Sequence, residues 1–395
     1  MKKQTRAVHS QYPGKDAYGA LSMPVYHSAA FEFSNAAEMA DVFCGRVVAP
    51  DYSRVMNPTV MNFEDNVKAL TGASSVVALN SGMAAISNTL LGLVSAGRNI
   101  VTSRHMFGNT FSFITETLPR FGVEPRLKDL TSIDQVEAAV DGDTCCIYLE
   151  IITNPQMEVA DLKALSEIAH RHGIPLVADT TMIPFTEFSS HSLGVDIEVV
   201  SSTKYLSGGA TSIGGLIIDY GSFPEFTKMV KGELLFNLGA YMTPHVAYMQ
   251  TLGLETLDAR YRVQASNALE LAKRLSAHPA VRRTGYTGLE DNPYHELSVR
   301  QFGPTAGAMV TIDLDSEAAC FKFIDSLQLV YRATNLFDSR TLAIHPYSTI
   351  FGPFSAEKKR AMDVLDTTVR LSIGLEDVDD IYEDMSQALD KVMGK

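Results

Sequence analysis

The chain has 395 residues and is 46% hydrophobic, enough to bury a large core and to form two domains. Its formal net charge is −13 and it has no run of Lys and Arg, which argues against nucleic acid or an anionic membrane as a partner. No apolar run approaches the roughly 18 residues of a membrane span, and no apolar stretch follows the first lysines as in a secretory signal. The four cysteines lack metal-ligand spacing, so we expect a cytoplasmic protein with reduced thiols and no metal.

The N-terminal residues 1–56 have little periodic pattern but many aromatic side chains. These are Tyr12, Tyr18, Tyr26, Phe31, Phe33, Phe43 and Tyr52. An irregular, aromatic-rich segment seldom packs alone, so we expect an arm that reaches a neighbouring subunit. Residues 57–70 then show helical spacing, and Asn57 followed by Pro58 is typical of a helix start.

Short apolar strands alternate with helices between residues 74 and 219. The predicted strands are SSVVALN (74–80), NIVTS (99–103), CCIYLEI (145–151), IPLVADT (174–180), VDIEVVSS (195–202) and GGLIID (214–219). Helices are predicted from SGMAAISNTLLGLV, FSFITETL and VADLKALSEIAHRHG. This alternation predicts an α/β fold in which a mostly parallel central sheet has helices on both faces. Ligands of such sheets bind beyond the carboxyl ends of the strands.

The pattern changes near residue 239. Residues 239–275 predict one long helix, and the remainder predicts a smaller α+β domain with strands MVTIDL and VRLSIG. We therefore predict an N-terminal arm (1–56), a large ligand-binding domain (57–250) and a C-terminal α+β domain (251–395).

Lys204 lies in the stretch DIEVVSSTKYLSGGATSIGG (196–215), after an apolar strand and before a loop of small residues. A lysine at the end of a core strand either pairs with a charge or supplies its amine. A desolvated amine has a lowered pKa and attacks carbonyl groups to form a Schiff base. The alternative is a lysine that extends into solvent from the sheet edge.

Asp179 ends the preceding predicted strand, so it and Lys204 are expected at the same edge of the sheet. A buried carboxylate keeps a nearby ring nitrogen protonated. Pyridoxal phosphate needs such a carboxylate to act as an electron sink, together with a lysine for its aldehyde. The alternative for Asp179 is a turn or helix-capping residue.

A second group of residues predicts a phosphate site. Ser81, Gly82 and Met83 open a helix directly after a strand, where free N–H groups and the helix dipole attract anions. With Ser201 and Thr203 they form a candidate phosphate cradle. The alternative is an ordinary helix cap.

Seven segments, in chain order, resemble the cysteine and methionine metabolism family of pyridoxal-phosphate enzymes. They are YSRVMNPTV (52–60), ALNSGMAAI (78–86), NPQMEVADL (154–162), VADTT (177–181), SSTKYLSGG (201–209), RTLAIHP (340–346) and VRLSIGLED (369–377). The family includes cystathionine synthases and lyases, methionine γ-lyases and homoserine-ester sulfhydrylases. The segments TSIGGLIID, LGLETL, FIDSL and TLAIHP look closest to the O-acetylhomoserine sulfhydrylase branch.

The resemblance implies a fold of the aspartate-aminotransferase type (fold type I) and a role for each site residue. Lys204 would bind the cofactor aldehyde and shuttle protons, Asp179 would bind the pyridinium nitrogen, and Asn154 would bind the ring 3-oxygen. Ser81, Gly82, Met83, Ser201 and Thr203 would hold the phosphate, and Tyr52 and Arg54 would reach the phosphate of the neighbouring subunit. The active unit would then be a dimer, usually doubled to a homotetramer.

Two further residues would bind the substrate. Arg370 would clamp its α-carboxylate in bidentate fashion, for which a planar guanidinium is suited. The alternative is a surface arginine at a strand start, against which the apolar strand VRLSIG argues. Asn335 would add a contact to the same carboxylate, or is a plain loop residue.

The chain departs from the family pattern at several positions. Phe107 stands where a tyrosine usually stacks on the cofactor ring, so it can stack but has no hydroxyl to assist a leaving group. The other departures are Thr180 for asparagine, Gly209 for histidine, Phe337 for glycine, and Ile350 and Phe351 for Thr-His. Because most are expected at the substrate end of the pocket, they leave substrate choice open. His105 and His345 are interpreted as structural rather than catalytic.

The resemblance implies γ-replacement on an O-acylhomoserine, above all O-acetylhomoserine, by sulfide or a small thiol. The alternatives are a γ-lyase acting on methionine, which would release 2-oxobutanoate, ammonia and a thiol, and more remotely an aminotransferase. A non-catalytic binding protein would have no use for Lys204, Asp179 and Arg370 together.

Overall fold

The structure is a computed structural model that describes residues 2–9 and 18–394. Tyr12 of the predicted arm lies outside the described residues. The chain divides into two compact units. The first unit comprises Met1–Leu93 with Asp196–Thr256, and the second comprises Val94–Val195 with Leu257–Lys395. The domain boundaries at 56 and 250 stay a prediction.

The strands are named in chain order. They are β1 (Ser75–Leu79), β2 (Asn99–Ser103), β3 (Glu124–Lys128), β4 (Thr144–Glu150), β5 (Leu176–Asp179), β6 (Ile197–Val200), β7 (Gly215–Asp219), β8 (Arg283–Gly285), β9 (Met309–Asp313), β10 (Tyr331–Arg332), β11 (Leu342–Ile344) and β12 (Thr368–Ser372).

The α-helices are named in the same way. They are α1 (Lys3–Val8), α2 (Ala36–Phe43), α3 (Pro58–Thr71), α4 (Gly82–Leu93), α5 (Gly108–Ser112), α6 (Ile133–Glu137), α7 (Leu162–Arg171), α8 (Pro224–Met229), α9 (Leu235–Leu238), α10 (Pro244–Glu255), α11 (Leu257–Ser276), α12 (His295–Phe302), α13 (Glu317–Ser326), α14 (Ala356–Ala361) and α15 (Val378–Val392). Short π-helical turns span Phe113–Thr117 and Val230–Leu234, and 3₁₀ turns span Leu118–Phe121, His191–Leu193, Tyr205–Ser207 and Pro346–Ser348.

In the first unit, β1, β7 and β6 lie side by side in that order and are antiparallel. Ile217 of β7 pairs with Val77 on one side and Val199 on the other, and all three are buried. Strand β7 is antiparallel to β6 because residues 201–214 contain one 3₁₀ turn and no crossover helix, which a parallel connection would need. Helix α3 has the predicted start, where the Asn57 side chain accepts a hydrogen bond from the Thr59 N–H.

In the second unit, β5, β4, β2 and β3 lie side by side in that order and are parallel. Strand β3 was not predicted, because its sequence EPRLK has neither the apolar run nor the alternation of a core strand. Strand β3 is the last strand in the order and therefore an edge strand. An edge strand tolerates a proline such as Pro125. The neighbouring β4 and β5 end together, since Glu150 pairs in register with Asp179.

A second sheet in the same unit has the strand order β10-β11-β12-β9-β8. All its neighbouring pairs are antiparallel except β10 with β11. Strand β12 is central, and its Arg370 lies between Ile344 of β11 and Thr311 of β9. The sheet therefore holds this arginine among buried apolar strands, as the sequence pattern predicted.

The long helix predicted over 239–275 is two helices, α10 and α11, which are separated at Thr256. Helix α10 approaches the 3₁₀ turn Tyr205–Ser207 very closely at Gly253. A Cβ atom on Gly253 would lie 1.9 Å from the carbonyl oxygen of Leu206. Only a glycine permits this approach, by which α10 supports the loop that follows Lys204.

Within the described part of the chain, no helix is both long and apolar enough to pass through a bilayer. The same residues contain no cluster of three or more His, Cys, Asp or Glu side chains arranged to bind a metal ion.

Candidate active site

Lys204 lies just beyond β6, as predicted, and is half-buried. Its N–H donates to the carbonyl oxygen of Ser201 at 3.1 Å, which closes a tight turn after the strand. Its carbonyl oxygen accepts a hydrogen bond from the Ser207 hydroxyl at 3.2 Å. The backbone on both sides of the lysine is thus fixed, so the fold sets the position from which its amine extends.

The predicted phosphate residues come together within the first unit. A Cβ atom on Gly82 would lie 2.6 Å from the Ser201 Cβ, so the start of α4 lies directly against Ser201. The Ser81 hydroxyl accepts from the Ala84 N–H at 3.1 Å and caps α4. Met83 is the second residue of α4.

Thr203 joins the same region through the loop that precedes β7. Its hydroxyl oxygen accepts from the Gly214 N–H at 3.1 Å and lies 3.2 Å from the Gly214 carbonyl oxygen. The arrangement combines backbone N–H groups of a helix start with serine and threonine hydroxyls, which is the composition of an anion site.

Tyr52 and Arg54 form a pair at the surface of the first unit. The Arg54 guanidinium lies 5.5 Å from the centre of the Tyr52 ring, and its Nη1 donates to the carbonyl oxygen of Phe236 at 2.7 Å. Tyr52 is 46% exposed. The Arg54 side chain is therefore held in place and the Tyr52 side chain is exposed in the single chain, and their role at a neighbouring phosphate stays a prediction.

In the second unit, Asp179 ends β5 and its Oδ1 accepts from the Thr181 N–H at 3.0 Å. This is the turn contact that the alternative interpretation expected. The register neighbour of Asp179 is Glu150, whose side chain is buried. Burial, reinforced by the charge of Asp179, raises the pKa of Glu150 to about 8.

Glu150 is a site residue that the sequence reasoning missed. One oxygen, Oε1, accepts from the Phe107 N–H at 2.6 Å, and the other, Oε2, accepts from the Asn154 N–H at 3.2 Å. The signal was present, because an acid that ends an apolar strand was the argument for Asp179 and applies equally to CCIYLEI. The carboxylate joins two of the predicted site residues.

Arg370 is 3% exposed and has weak polar partners. Its Nη1 donates to Asn154 Oδ1 at 3.3 Å and its Nη2 donates to the carbonyl oxygen of Asn335 at 3.4 Å. Its Nε is buried without a partner, and among the described residues no carboxylate pairs with it. Burial lowers the pKa of Arg370 to about 9. A buried cation without a counter-ion is a site for an anion.

Phe337, at the position where the family usually has glycine, has a φ of 56°. This left-handed conformation is costly for a bulky residue and explains why glycine suits the position. The phenylalanine is held there because its N–H donates to the Ser372 hydroxyl at 2.6 Å and its side chain is buried. Gly209, where the family usually has histidine, has a φ of 138°.

The departures at 350 and 351 lie beside the loop that carries Phe107. A Cβ atom on Gly108 would be 3.1 Å from the Ile350 carbonyl oxygen and 3.4 Å from the Phe351 ring. The Phe351 ring also packs edge-on against Phe354, at 5.8 Å between centres. Aromatic and aliphatic groups therefore replace the polar pair of the family here. Thr180 is buried directly after Asp179.

Both histidines have polar partners on both ring nitrogens. His105 binds Glu158 through Nδ1 and Asp363 through Nε2. His345 binds the Ser348 hydroxyl through Nδ1 and the Asp366 carbonyl oxygen through Nε2, each at 2.8 Å. These contacts favour the structural interpretation of both.

The chain is similar to known proteins along almost its whole length. The chain matches the family described as Cys/Met metabolism PLP-dependent enzyme over residues 4–390. The O-succinylhomoserine sulfhydrylase of Pseudomonas aeruginosa is 36% identical over 366 residues, which cover 92% of this chain and 90% of that protein. The L-methionine gamma-lyase of Fusobacterium nucleatum subsp. polymorphum is 34% identical over 391 residues, which cover 98% of each.

A crystal structure from Campylobacter jejuni, described as an O-acetylhomoserine (thiol)-lyase, superposes with a TM-score of 0.95 and 31% identity. The superposition covers 99% of this chain and 100% of that chain, which carries N'-pyridoxyl-lysine-5'-monophosphate at its position 205. The predicted fold class and the predicted cofactor, pyridoxal phosphate, are confirmed. The match of the family over nearly the whole chain identifies this protein as a pyridoxal-phosphate-dependent member of the Cys/Met metabolism enzymes.

Proposed function

We propose that this enzyme replaces the γ-substituent of an O-acylhomoserine, above all O-acetylhomoserine, with sulfide or a small thiol. The products are homocysteine or methionine and the free carboxylic acid. Two relatives support this choice, one described as an O-succinylhomoserine sulfhydrylase and one as an O-acetylhomoserine (thiol)-lyase.

The residues of each unit fit pyridoxal phosphate. In the first unit, the start of α4 at Gly82 lies directly against Ser201, which brings backbone N–H groups and a hydroxyl together as a phosphate site requires. In the second unit, Asp179 ends a buried strand and supplies a carboxylate for a ring nitrogen. When bound, pyridoxal phosphate withdraws electrons from the α-carbon of an amino acid and stabilises negative charge there.

We assign the roles of the chain's own residues accordingly. Lys204 binds the cofactor through Nζ and moves protons at the α- and β-carbons of the substrate. Asp179 keeps the ring nitrogen protonated, Asn154 binds the ring oxygen, and Phe107 stacks on the ring. The lysine assignment is supported by the modified lysine at position 205 of the Campylobacter jejuni protein, which matches this chain from end to end.

The main observation in favour of an amino-acid substrate is the buried Arg370 guanidinium, which has no carboxylate partner among the described residues. Its buried Nε lacks a partner, and its Nη1 and Nη2 make only long bonds to neutral oxygens. A substrate α-carboxylate would supply the missing negative charge and accept two parallel hydrogen bonds. Asn335 lies beside the same guanidinium through its carbonyl oxygen.

The choice of leaving group rests on Phe107. A carboxylic acid has an ordinary pKa of about 4 and a thiol of about 8.5. A carboxylate therefore leaves at neutral pH without a proton, whereas a thiolate leaves more readily when an acid protonates it. Because Phe107 has no hydroxyl to donate, the site favours an acyl ester over methionine.

The second candidate is a γ-lyase that releases 2-oxobutanoate from methionine. It is favoured by the 34% identity to the L-methionine gamma-lyase of Fusobacterium nucleatum. Purified enzyme should be incubated with O-acetylhomoserine and sulfide, with O-succinylhomoserine and sulfide, and with methionine alone, and homocysteine and 2-oxobutanoate should be measured. Faster formation of 2-oxobutanoate from methionine than of homocysteine from either ester would refute γ-replacement as the main activity.

We further propose a homotetramer built from dimers that share active sites, located in the cytoplasm. Large apolar side chains of the N-terminal segment are exposed in the single chain, among them Tyr18 (96%), Leu21 (97%) and Phe43 (70%). Burying them against another subunit is favourable. All four cysteines are free thiols, as expected in a reducing compartment. Light scattering of the purified protein tests the assembly, and a monomeric mass would exclude it.

A further inference from the structure

Glu150 connects two loops that carry proposed site residues. It is 7% exposed, and its two oxygens accept from the N–H groups of Phe107 and Asn154 at 2.6 and 3.2 Å. The first loop begins α5, for which Phe107 is the N-terminal cap. The second loop follows β4 directly. One buried carboxylate thus sets the distance between these loops.

Asn154 in turn contacts Arg370, the residue proposed to bind the substrate carboxylate. The backbone N–H of Asn154 is bound by Glu150, and its side-chain oxygen Oδ1 accepts from Arg370 at 3.3 Å. Arg370 has few other restraints, since its remaining bond reaches the Asn335 carbonyl oxygen at 3.4 Å. Moving the backbone at Asn154 would therefore move one of the two acceptors that orient the guanidinium.

The geometry requires two acceptor oxygens. Each N–H group of the two loops faces one oxygen of Glu150, and both oxygens of a carboxyl group can accept, whether it is ionised or protonated. A glutamine has one oxygen and one NH₂ group, so one backbone donor would face another donor. Replacing Glu150 by Gln would therefore leave one buried N–H without an acceptor and release one of the two loops.

We propose that Glu150 is a positioning residue, which holds Phe107 against the cofactor ring and, through Asn154, orients Arg370 toward the substrate carboxylate. The inference rests on the proposed roles of Phe107, Asn154 and Arg370. It goes beyond them in assigning a function to a buried acid that has no part in those proposed roles.

A matched control exists in the same unit. Asp384 is also 7% exposed, and its oxygens accept from the backbone N–H groups of Gln328, Leu329 and Val330 at 2.8 to 2.9 Å. Glu150→Gln and Asp384→Asn therefore change two equally buried acids that make the same kind of contact to backbone N–H groups. A purely structural role for Glu150 predicts that the two variants behave alike.

The test compares binding of L-norvaline, an amino acid without a leaving group, with binding of n-butylamine, which is the same molecule without its carboxylate. Both are titrated into the cofactor-loaded enzyme by calorimetry. We expect E150Q to weaken norvaline binding at least tenfold and to leave butylamine binding within twofold. D384N should leave both within twofold. Since norvaline has no γ-leaving group and cannot undergo γ-replacement, failure of that proposed function would leave this comparison intact.

Two further measurements complete the test. Amide hydrogen exchange of the cofactor-free protein should become faster at Phe107 and Asn154 in E150Q, and stay unchanged there in D384N. The losses of norvaline affinity in E150Q and Arg370→Lys should be less than additive in the double variant, because one acts through the other. If E150Q is not recovered folded, E150D, which shortens the carboxylate by one methylene, is expected to show the same pattern. Unchanged norvaline affinity in a folded variant, or fully additive losses, would overturn the proposal.

Discussion

The buried guanidinium of Arg370 should make the protein less stable than it would be with an apolar residue. The fall of its pKa to about 9 corresponds to a cost of about 5 kcal/mol at neutral pH. Its two long hydrogen bonds return about 1 kcal/mol each, and the two acceptors left behind by a substitution cost a similar amount. We therefore expect Arg370→Met to raise the free energy of unfolding by about 1 kcal/mol.

The same substitution should abolish substrate recognition. Two charge-assisted hydrogen bonds of about 1.5–3 kcal/mol each are lost, so kcat/KM should fall more than about 100-fold. Stability is measured by urea denaturation of the substrate-free enzyme and kcat/KM with O-acetylhomoserine and sulfide. Arg283→Met is the control, because Arg283 is 61% exposed and pairs with Asp313 at 2.7 Å. It should change stability by less than about 1 kcal/mol.

The pH dependence gives a second check on the same cause. A base with a lowered pKa destabilises the folded state below that pKa, since the unfolded chain binds the proton more tightly. The advantage of R370M should therefore be complete at pH 7 and shrink as the pH rises above about 9. A variant that is less stable than the parent enzyme at pH 7 would refute the reasoning, as would an advantage that does not change with pH.

Three further substitutions test the rest of the site. Lys204→Ala should remove the visible absorbance of bound cofactor and all turnover while the protein stays folded, and persistence of the colour would contradict the lysine assignment. Phe107→Tyr should keep the cofactor and raise methionine cleavage relative to ester turnover, and identical kinetics on every substrate would remove the significance of this position. Gly253→Ala should cost about 1–3 kcal/mol in urea denaturation because its Cβ would meet the Leu206 carbonyl oxygen, and Gly232→Ala, which has open space, should cost nothing.

Patterns that depend on neighbouring residues could be predicted. The apolar strands before Asp179 and Lys204, and the helix that opens at Gly82, lie where the period of the sequence indicated. The predicted helix over 239–275 was wrong at residues 239–243, which precede α10, and at Thr256, while α10 and α11 both follow the helical period. Edge strand β3 was missed because it buries too little surface to need an apolar pattern.

Contacts between distant parts of the chain could not be predicted in this way. Arg370 and Asn154 are 216 residues apart, and no local period relates them. The antiparallel direction of β7 depends on how residues 201–214 fold back, not on the composition of the strand. The part played by Glu150 follows only from the two N–H groups that face its oxygens.

The sequence by itself determined the family, the cofactor and the strand-end residues expected to serve it, because these depend on local order along the chain. Only the tertiary structure decided which polar groups meet in the interior and which are left without a partner. The reason is energetic, since the cost of burying a charge or an N–H group depends on what surrounds it in space. Arg370, whose buried Nε has no partner, and Glu150, whose two oxygens both accept hydrogen bonds, are examples of what only the tertiary structure decides.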